Sequence, residues 1–260
     1  MTAKKAILAV SFGTSHHQTR KDTIEAIEKA IAAACPGRLI RRAFTSGMII
    51  RKLQGEGVSI DDVAAAMDKL VAEGVTDLIV QPTHVMDGFE YEKMRDQVEP
   101  YRDRFEQIKL GAPLLDSDED YAQVVEALAA ETKDHEAEDV AIVWMGHGTE
   151  HPANSAYGKL ERCFRQAGYQ RHFIGTVEAE PDLEEVVAAV KACQGIKKVV
   201  LLPLMIVAGD HAVNDMAGDE EDSWKTAFEE AGYEVECVLK GMGQYPAIRQ
   251  IFVRHTQEAQ

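Results

Sequence analysis

The sequence predicts an α/β protein assembled from two similar halves, each a parallel sheet with helices between its strands. Three observations carry this. Short apolar runs rich in Val, Ile and Leu alternate with longer amphipathic segments along the whole chain. The runs are near-continuous rather than alternating, as in parallel strands covered on both faces. A turn sequence near the N-terminus also occurs a second time in the second half.

The strand-length runs are 6–12, 38–44, 77–82, 108–113, 140–145, 172–178, 198–206 and 235–240. Between them, IEAIEKAIAAA (24–34) reads as a helix capped by Asp22 or Thr23. SIDDVAAAMDKLVAEG (59–74) reads as one capped by Ser59 and stopped at Gly74, and LEEVVAAVKACQG (183–195) as one closed by Gly195. Strands of four to eight residues separated by helices of ten to sixteen describe βαβ units.

The repeat supports two halves. AILAVSFGTSH (6–16) aligns without a gap on AIVWMGHGTEH (141–151) at an offset of 135 residues. Residues 75–90 align more weakly on 196–211 at an offset of 121, pairing Pro82 with Pro203 and Gly88 with Gly209. The polar stretch AAETKDHEAED (129–139) suits a linker, which predicts domains 1–130 and 131–260, with the last helix free to pack back on the first. Ligands of parallel α/β sheets sit beyond the carboxyl ends of the strands, where both repeated segments end. The alignment sets Phe12 against His147 and Glu90 against His211. Facing halves would let His147, Glu90 and His211 converge on one cleft.

Composition bounds the function. The 260-residue chain is 45% apolar and carries a net charge of −16, which argues against nucleic acid and anionic membrane surfaces as partners. Four scattered cysteines without a C-x-x-C pair argue against a disulfide framework or thiolate zinc site. MTAKKAILAVSFGTS reads as a first strand rather than an export signal, and no apolar run approaches the ~18–20 residues of a membrane span, so a cytoplasmic location is expected. P-loop, G-x-G-x-x-G and G-x-S-x-G patterns are absent, which argues against nucleotide binding and serine hydrolysis.

The remaining candidates lie at strand ends. His147, between two glycines, suits either a hydrogen-bonded turn or an uncrowded imidazole poised for chemistry. His211 sits among Asp210, Asn214 and Asp215, where capping by Asp210 or Asn214 and orientation of the imidazole are compatible readings. Glu178 ends a strand and Glu180 follows, so either could face the histidines. Two imidazoles with a carboxylate suit divalent cobalt, iron, nickel or zinc rather than magnesium or calcium. Glu90 follows Gly88 at a helix start, and His84 lies just upstream. FTSGMIIRKL (44–53) reads as a helix start or as an apolar lip containing Met48, with Arg51 and Lys52 available to carboxylates. HHQTRK (16–21) reads as a second polar, basic loop.

Taken together, AVSFGTSHH, RAFTSGMIIRKL, HVMDGFEYEK, MGHGTEH, TVEAEPD and PLMIVAGDHAVNDMAGDEEDSWK resemble the anaerobic, ATP-independent class II cobalt chelatases. The resemblance extends from near residue 5 to near residue 254. It implies two Rossmann-like domains related by a pseudo-twofold axis, with a tetrapyrrole in the cleft between them. It implies insertion of Co2+ into sirohydrochlorin in anaerobic cobalamin biosynthesis, with no organic cofactor. His147, Glu178 and His211 would hold the metal. His147 would also accept a proton, and Glu90 and His211 would share the catalytic work. Ser11, Phe12, His84, Met48 and Arg51 would line the substrate, with Lys52 and Arg20 offsetting its carboxylates. Fe2+ or Ni2+ as the metal, a ferrochelatase role in sirohaem synthesis, and a non-catalytic tetrapyrrole or metal carrier are the alternatives. Oligomeric state, homo-oligomers included, is left open.

Overall fold

A computed structural model of the protein describes residues 4–260. The described residues form two compact units, one running up to Asp116 and completed by 246–260, the other Ser117–Tyr245. The boundary expected after residue 130 falls inside a helix. Ser117 opens that helix with a capping box, its side chain accepting from the Asp120 backbone while the Asp120 carboxylate returns to the Ser117 N–H. The stretch read as a linker is therefore the end of this helix and the turn after it.

In the first unit the strands are β1 (Lys5–Ser11), β2 (Leu39–Phe44), β3 (Asp77–Pro82) and β4 (Gln107–Leu110), ordered β2-β1-β3-β4 and all parallel. The helices are α1 (His17–Asp22), α2 (Ile24–Ala34), α3 (Gly47–Gly55), α4 (Val63–Ala72) and α5 (Phe89–Val98). In the second unit, α6 (Asp118–Thr132) precedes β5 (Val140–Gly146), followed by α7 (Ser155–Gln166), β6 (His172–Thr176), α8 (Leu183–Ala192), β7 (Lys198–Pro203), α9 (Trp224–Glu230) and β8 (Glu234–Cys237). Its sheet has the equivalent order β6-β5-β7-β8. The last helix, α10 (Pro246–Glu258), belongs to the first unit, where Thr256 donates to the buried Gln81 side chain of β3.

The repeat is exact in register. Val10 lies beside Pro82 in the first sheet and Met145 beside Pro203 in the second, the partners that the two offsets relate. The turns match as well. The Thr14 hydroxyl accepts from the His16 N–H at 3.2 Å, and Thr149 does the same for His151 at 3.1 Å. Gly13 and Gly148 both adopt positive φ, at 107° and 84°. The halves differ clearly in the second crossover: β2 to β3 carries α3 and α4, whereas β6 to β7 carries α8 alone. This extra helix accounts for much of the gap between the offsets of 135 and 121.

The central strands of each sheet are buried among apolar side chains. One cluster gathers Leu8, Val10, Met67, Leu70 and Val80, and the other Val143, Met145, Val199, Leu201 and Phe228. All seven residues of β5 are buried, as parallel strands require.

Some element ends differ from expectation. The helix expected from Ser59 begins at Val63, because the Asp62 carboxylate accepts from the Ala65 N–H, while residues 61 and 62 run alongside the end of β2. The helix expected to close at Gly195 ends at Ala192. Residues 16–21 do not form a loop; most belong to α1. Its Arg20 is only 5% exposed, with a guanidinium nitrogen 3.5 Å from the Thr14 carbonyl, so it is not placed to meet carboxylates on a ligand.

Candidate metal centre

In a sheet ordered 2-1-3-4 the chain leaves the first strand toward one side and the third toward the other. The crevice beyond their carboxyl ends is the topological switch point. In the second unit that crevice lies beyond β5 and β7. His147 is the first residue after β5, and His211 opens the helical turn that follows β7. Glu178 follows β6 and is tied to the same place by its backbone. Two bonds extend the ladder past the strands, from the Val177 N–H to the Gly146 carbonyl at 3.1 Å and from the Glu178 N–H to the His147 carbonyl at 2.9 Å.

These three residues come together. One ligand atom from each of His147, Glu178 and His211 lies within 4.8 Å of the other two. The imidazoles meet edge to face, with centroids 4.7 Å apart and planes at 88°. Glu178 Oε2 is 3.6 Å from His147 Nδ1. A metal–nitrogen bond of ~2.1 Å spans donors up to about 4.2 Å apart, so a small rotamer adjustment would bring all three onto one ion. The side chains are 44%, 53% and 36% exposed, respectively. The group is therefore open to an approaching ligand.

Hydrogen bonding selects the donor atoms. His147 Nδ1 is 2.9 Å from the Gly148 carbonyl, and His211 Nδ1 is 2.7 Å from Asp215 Oδ2. Both partners can only accept, so each Nδ1 carries a hydrogen, and in the neutral tautomer that this selects, the lone pair is that of Nε2.

Asn154 braces two of the loops. Its side-chain oxygen accepts from the Thr149 N–H at 3.1 Å, and its amide donates to the Glu180 carbonyl at 2.6 Å. Glu180 thus enters the arrangement through its backbone, and the carboxylate gathered with the histidines is that of Glu178. His151 caps the short turn Pro152–Asn154, its Nδ1 accepting from the Ala153 N–H. His16 occupies the equivalent position in the repeat, at the N-cap of α1. Asn154 and the hold of Asp215 on His211 escaped the sequence reading. The four-residue spacing of His211 and Asp215 was the available signal for the latter.

The other candidates lie in the first unit. His84 is buried, with Nε2 3.5 Å from the Thr45 hydroxyl and no hydrogen bond at Nδ1. Burial foremost, and then the nearby Lys93 charge, depress its pKa to about 4, so it is neutral. Glu90, in the first turn of α5, has Oε2 buried without a hydrogen bond and 3.6 Å from Lys93 Nζ. Lys93 itself donates to the Thr45 carbonyl at 2.5 Å. Phe12 and Met48 are 44% and 65% exposed, and Arg51 is exposed. Ser11 is different. It is buried, and its hydroxyl accepts from Thr83, so it supports the strand end rather than presenting itself to a ligand.

The backbone bonds also match the two units residue by residue. The Phe12 carbonyl accepts from the Ser46 N–H at 3.2 Å, where that of His147 accepts from Glu178. The first unit therefore has Phe12 and Ser46 where the second has His147 and Glu178.

The family model described as cobalt chelatase (CbiK) matches residues 5–260. A sirohydrochlorin cobaltochelatase of Salmonella typhimurium is 44% identical over 257 residues, which are 98% of this chain and 96% of that protein. The sirohydrochlorin cobaltochelatase CbiKC of Nitratidesulfovibrio vulgaris is 34% identical, over 98% of this chain and 90% of that one. The structure of SirB from Bacillus subtilis with Fe3+ shares the fold at a TM-score of 0.72 and 15% identity, covering 98% of this chain and 95% of that chain.

Proposed function

Because the chain belongs to the cobalt chelatase (CbiK) family, we propose that it is an ATP-independent sirohydrochlorin cobaltochelatase. It takes Co2+ and sirohydrochlorin, and releases the metallated ring and the two protons that the ring nitrogens lose. The observation that carries this is the open group of His147, Glu178 and His211 at the β5/β7 switch point.

The chemistry follows from the donors. Two neutral Nε2 atoms and one carboxylate form a borderline set that accepts Co2+. A three-donor site on exposed side chains leaves coordination positions for solvent and then for ring nitrogens. The ion can therefore exchange protein donors for macrocycle donors one at a time. A site that closed four ligands around the ion would retain it. As the ring takes the metal, its N–H protons need acceptors. His147 is the acceptor in this reading, and Glu90 takes up a proton or relays metal. General-base assistance of this kind is worth ~10²–10⁴-fold. Phe12 and Met48 offer apolar contact to the ring, and His84 a neutral buried wall. Arg51 and Lys52 offset the repulsion between an anionic ring and a chain of net charge −16.

The same donors accept Fe2+ and Ni2+. The deciding experiment is insertion kinetics with Co2+, Fe2+ and Ni2+ into sirohydrochlorin, with protoporphyrin as a control ring. Turnover fastest with cobalt, and confined to sirohydrochlorin, is the expected result. Binding of metal and ring without multiple turnovers would make the protein a carrier instead. Among the described residues no helix is long and apolar enough to cross a membrane.

A further inference from the structure

The two histidines are backed differently. His147 Nδ1 has the neutral Gly148 carbonyl at 2.9 Å, with the Glu178 carboxylate farther off at 3.6 Å, whereas His211 Nδ1 has the Asp215 carboxylate at 2.7 Å. An anion behind an imidazole raises the basicity of its other nitrogen and fixes ring orientation. A carbonyl fixes orientation with less charge.

The local fold holds Asp215 in place. Residues Ala212–Met216 form a π-helical turn, closed by bonds from the Ala217 N–H to the Ala212 carbonyl at 3.2 Å and from the Gly218 N–H to the Asn214 carbonyl at 3.0 Å. Ala212 and Met216 are fully buried in the second unit's core and anchor the turn. Asp215 stays on its outer side, four residues from His211. Gly218 permits the closure, because a Cβ there would lie 2.3 Å from the Asn214 carbonyl oxygen. Such wide turns are uncommon and concentrate at functional sites.

We infer that Asp215 is a positioning residue that makes His211 the firmer nitrogen donor to the incoming cobalt. His147, whose Nδ1 has a carboxylate only at 3.6 Å, that of Glu178, is then the donor that leaves first. The inference rests on the metal-binding reading of His147, Glu178 and His211.

The test is direct titration of the protein with Co2+, followed by the visible absorption of the bound ion, together with steady-state insertion. Asp215→Ala and Asp215→Asn should weaken Co2+ binding and raise the KM for cobalt ~10–100-fold. The KM for sirohydrochlorin should hold, and Asp215→Glu should recover part of the cobalt affinity. A merely structural role would move both KM values and the unfolding midpoint together, and that outcome overturns the inference. So does unchanged Co2+ affinity in Asp215→Ala when His211→Ala has lost it. If His211→Ala itself binds Co2+ normally, the metal-binding reading fails and takes the inference with it.

Discussion

The backbone carbonyl of His147 accepts the N–H of Glu178 at 2.9 Å, so a single rung of the extended β5–β6 ladder joins two of the three proposed donors. Side chains on adjacent rungs are set by the sheet and need little ordering when an ion arrives. The spacing of the donor group is thus a property of strand register, and disturbing that register should disturb metal transfer.

Gly148→Ala tests this at the turn. Its φ is 84°, and an added Cβ would lie 2.8 Å from the Ala179 backbone nitrogen, one residue from Glu178. Left-handed strain of this kind costs about 1–3 kcal/mol. The expected outcome is a lower urea midpoint and a cobalt insertion rate down by at least ~10-fold. A variant with a wild-type midpoint and rate would show that the turn tolerates displacement.

Removing donors should act on the reaction more than on the fold, since all three side chains are partly exposed. His147→Ala and His211→Ala should each slow cobalt insertion by ~10²–10⁴-fold, followed by the visible spectrum of the ring. Far-ultraviolet circular dichroism should stay unchanged. A folded double variant working near the wild-type rate would dispose of the proposed centre.

Arg51 is exposed on α3. Exposed ion pairs are worth at most about 1 kcal/mol and are screened by salt. Arg51→Ala should raise the KM for sirohydrochlorin about threefold to fivefold at low ionic strength, with kcat unchanged, and the difference should vanish in high salt. A salt-independent difference would assign Arg51 some other role.

Acid stability should report on two buried histidines. His172 is stacked on Phe164, and its Nδ1 accepts the Trp144 indole N–H, with Glu136 3.4 Å from Nε2. Burial depresses its pKa to about 4, as it does for His84. Both are neutral in the fold but take up protons near pH 6.5 when unfolded. Their contribution is therefore complete above about pH 6.5, shrinks as pH falls, and is gone below about 4. From pH 6.5 to 5 the loss for His172 amounts to about 2 kcal/mol. Denaturant midpoints at pH 7 and 5 measure it. His172→Gln, whose amide oxygen can still accept from Trp144, should show a shallower fall; an equal fall would place the acid sensitivity elsewhere.

The central strands could be placed from sequence because buried parallel strands are written as unbroken apolar runs, such as VVLLP in β7, whereas outer strands LIRRAF, QIKL and EVEC are shorter on such residues and only partly buried. The ends were less legible. Helix α4 is capped by Asp62 rather than Ser59 because residues 61 and 62 first align with Phe44, a long-range pairing that no local pattern reveals. The unit boundary was misplaced for a related reason. The polar residues after Ala129 look like a linker, but Tyr121, Val124, Val125 and Leu128 bury one face of α6 in the second unit. At the site, His147 and His211 were legible from the repeat. The sequence alone did not separate Glu178 from Glu180, because the distinction lies in how Asn154 holds the Glu180 carbonyl.

Helix α3 has no counterpart in the second unit, yet the partners of β1, β2 and β3 keep the register seen in β5, β6 and β7. Its residues are therefore under few obligations to the frame beyond the burial of Ile49 and Leu53. Exposed positions such as Met48 and Arg51 can be substituted without fold-breaking penalties, whereas Gly148, beside His147, cannot. Under the proposed function, engineering a new ring preference should begin in α3.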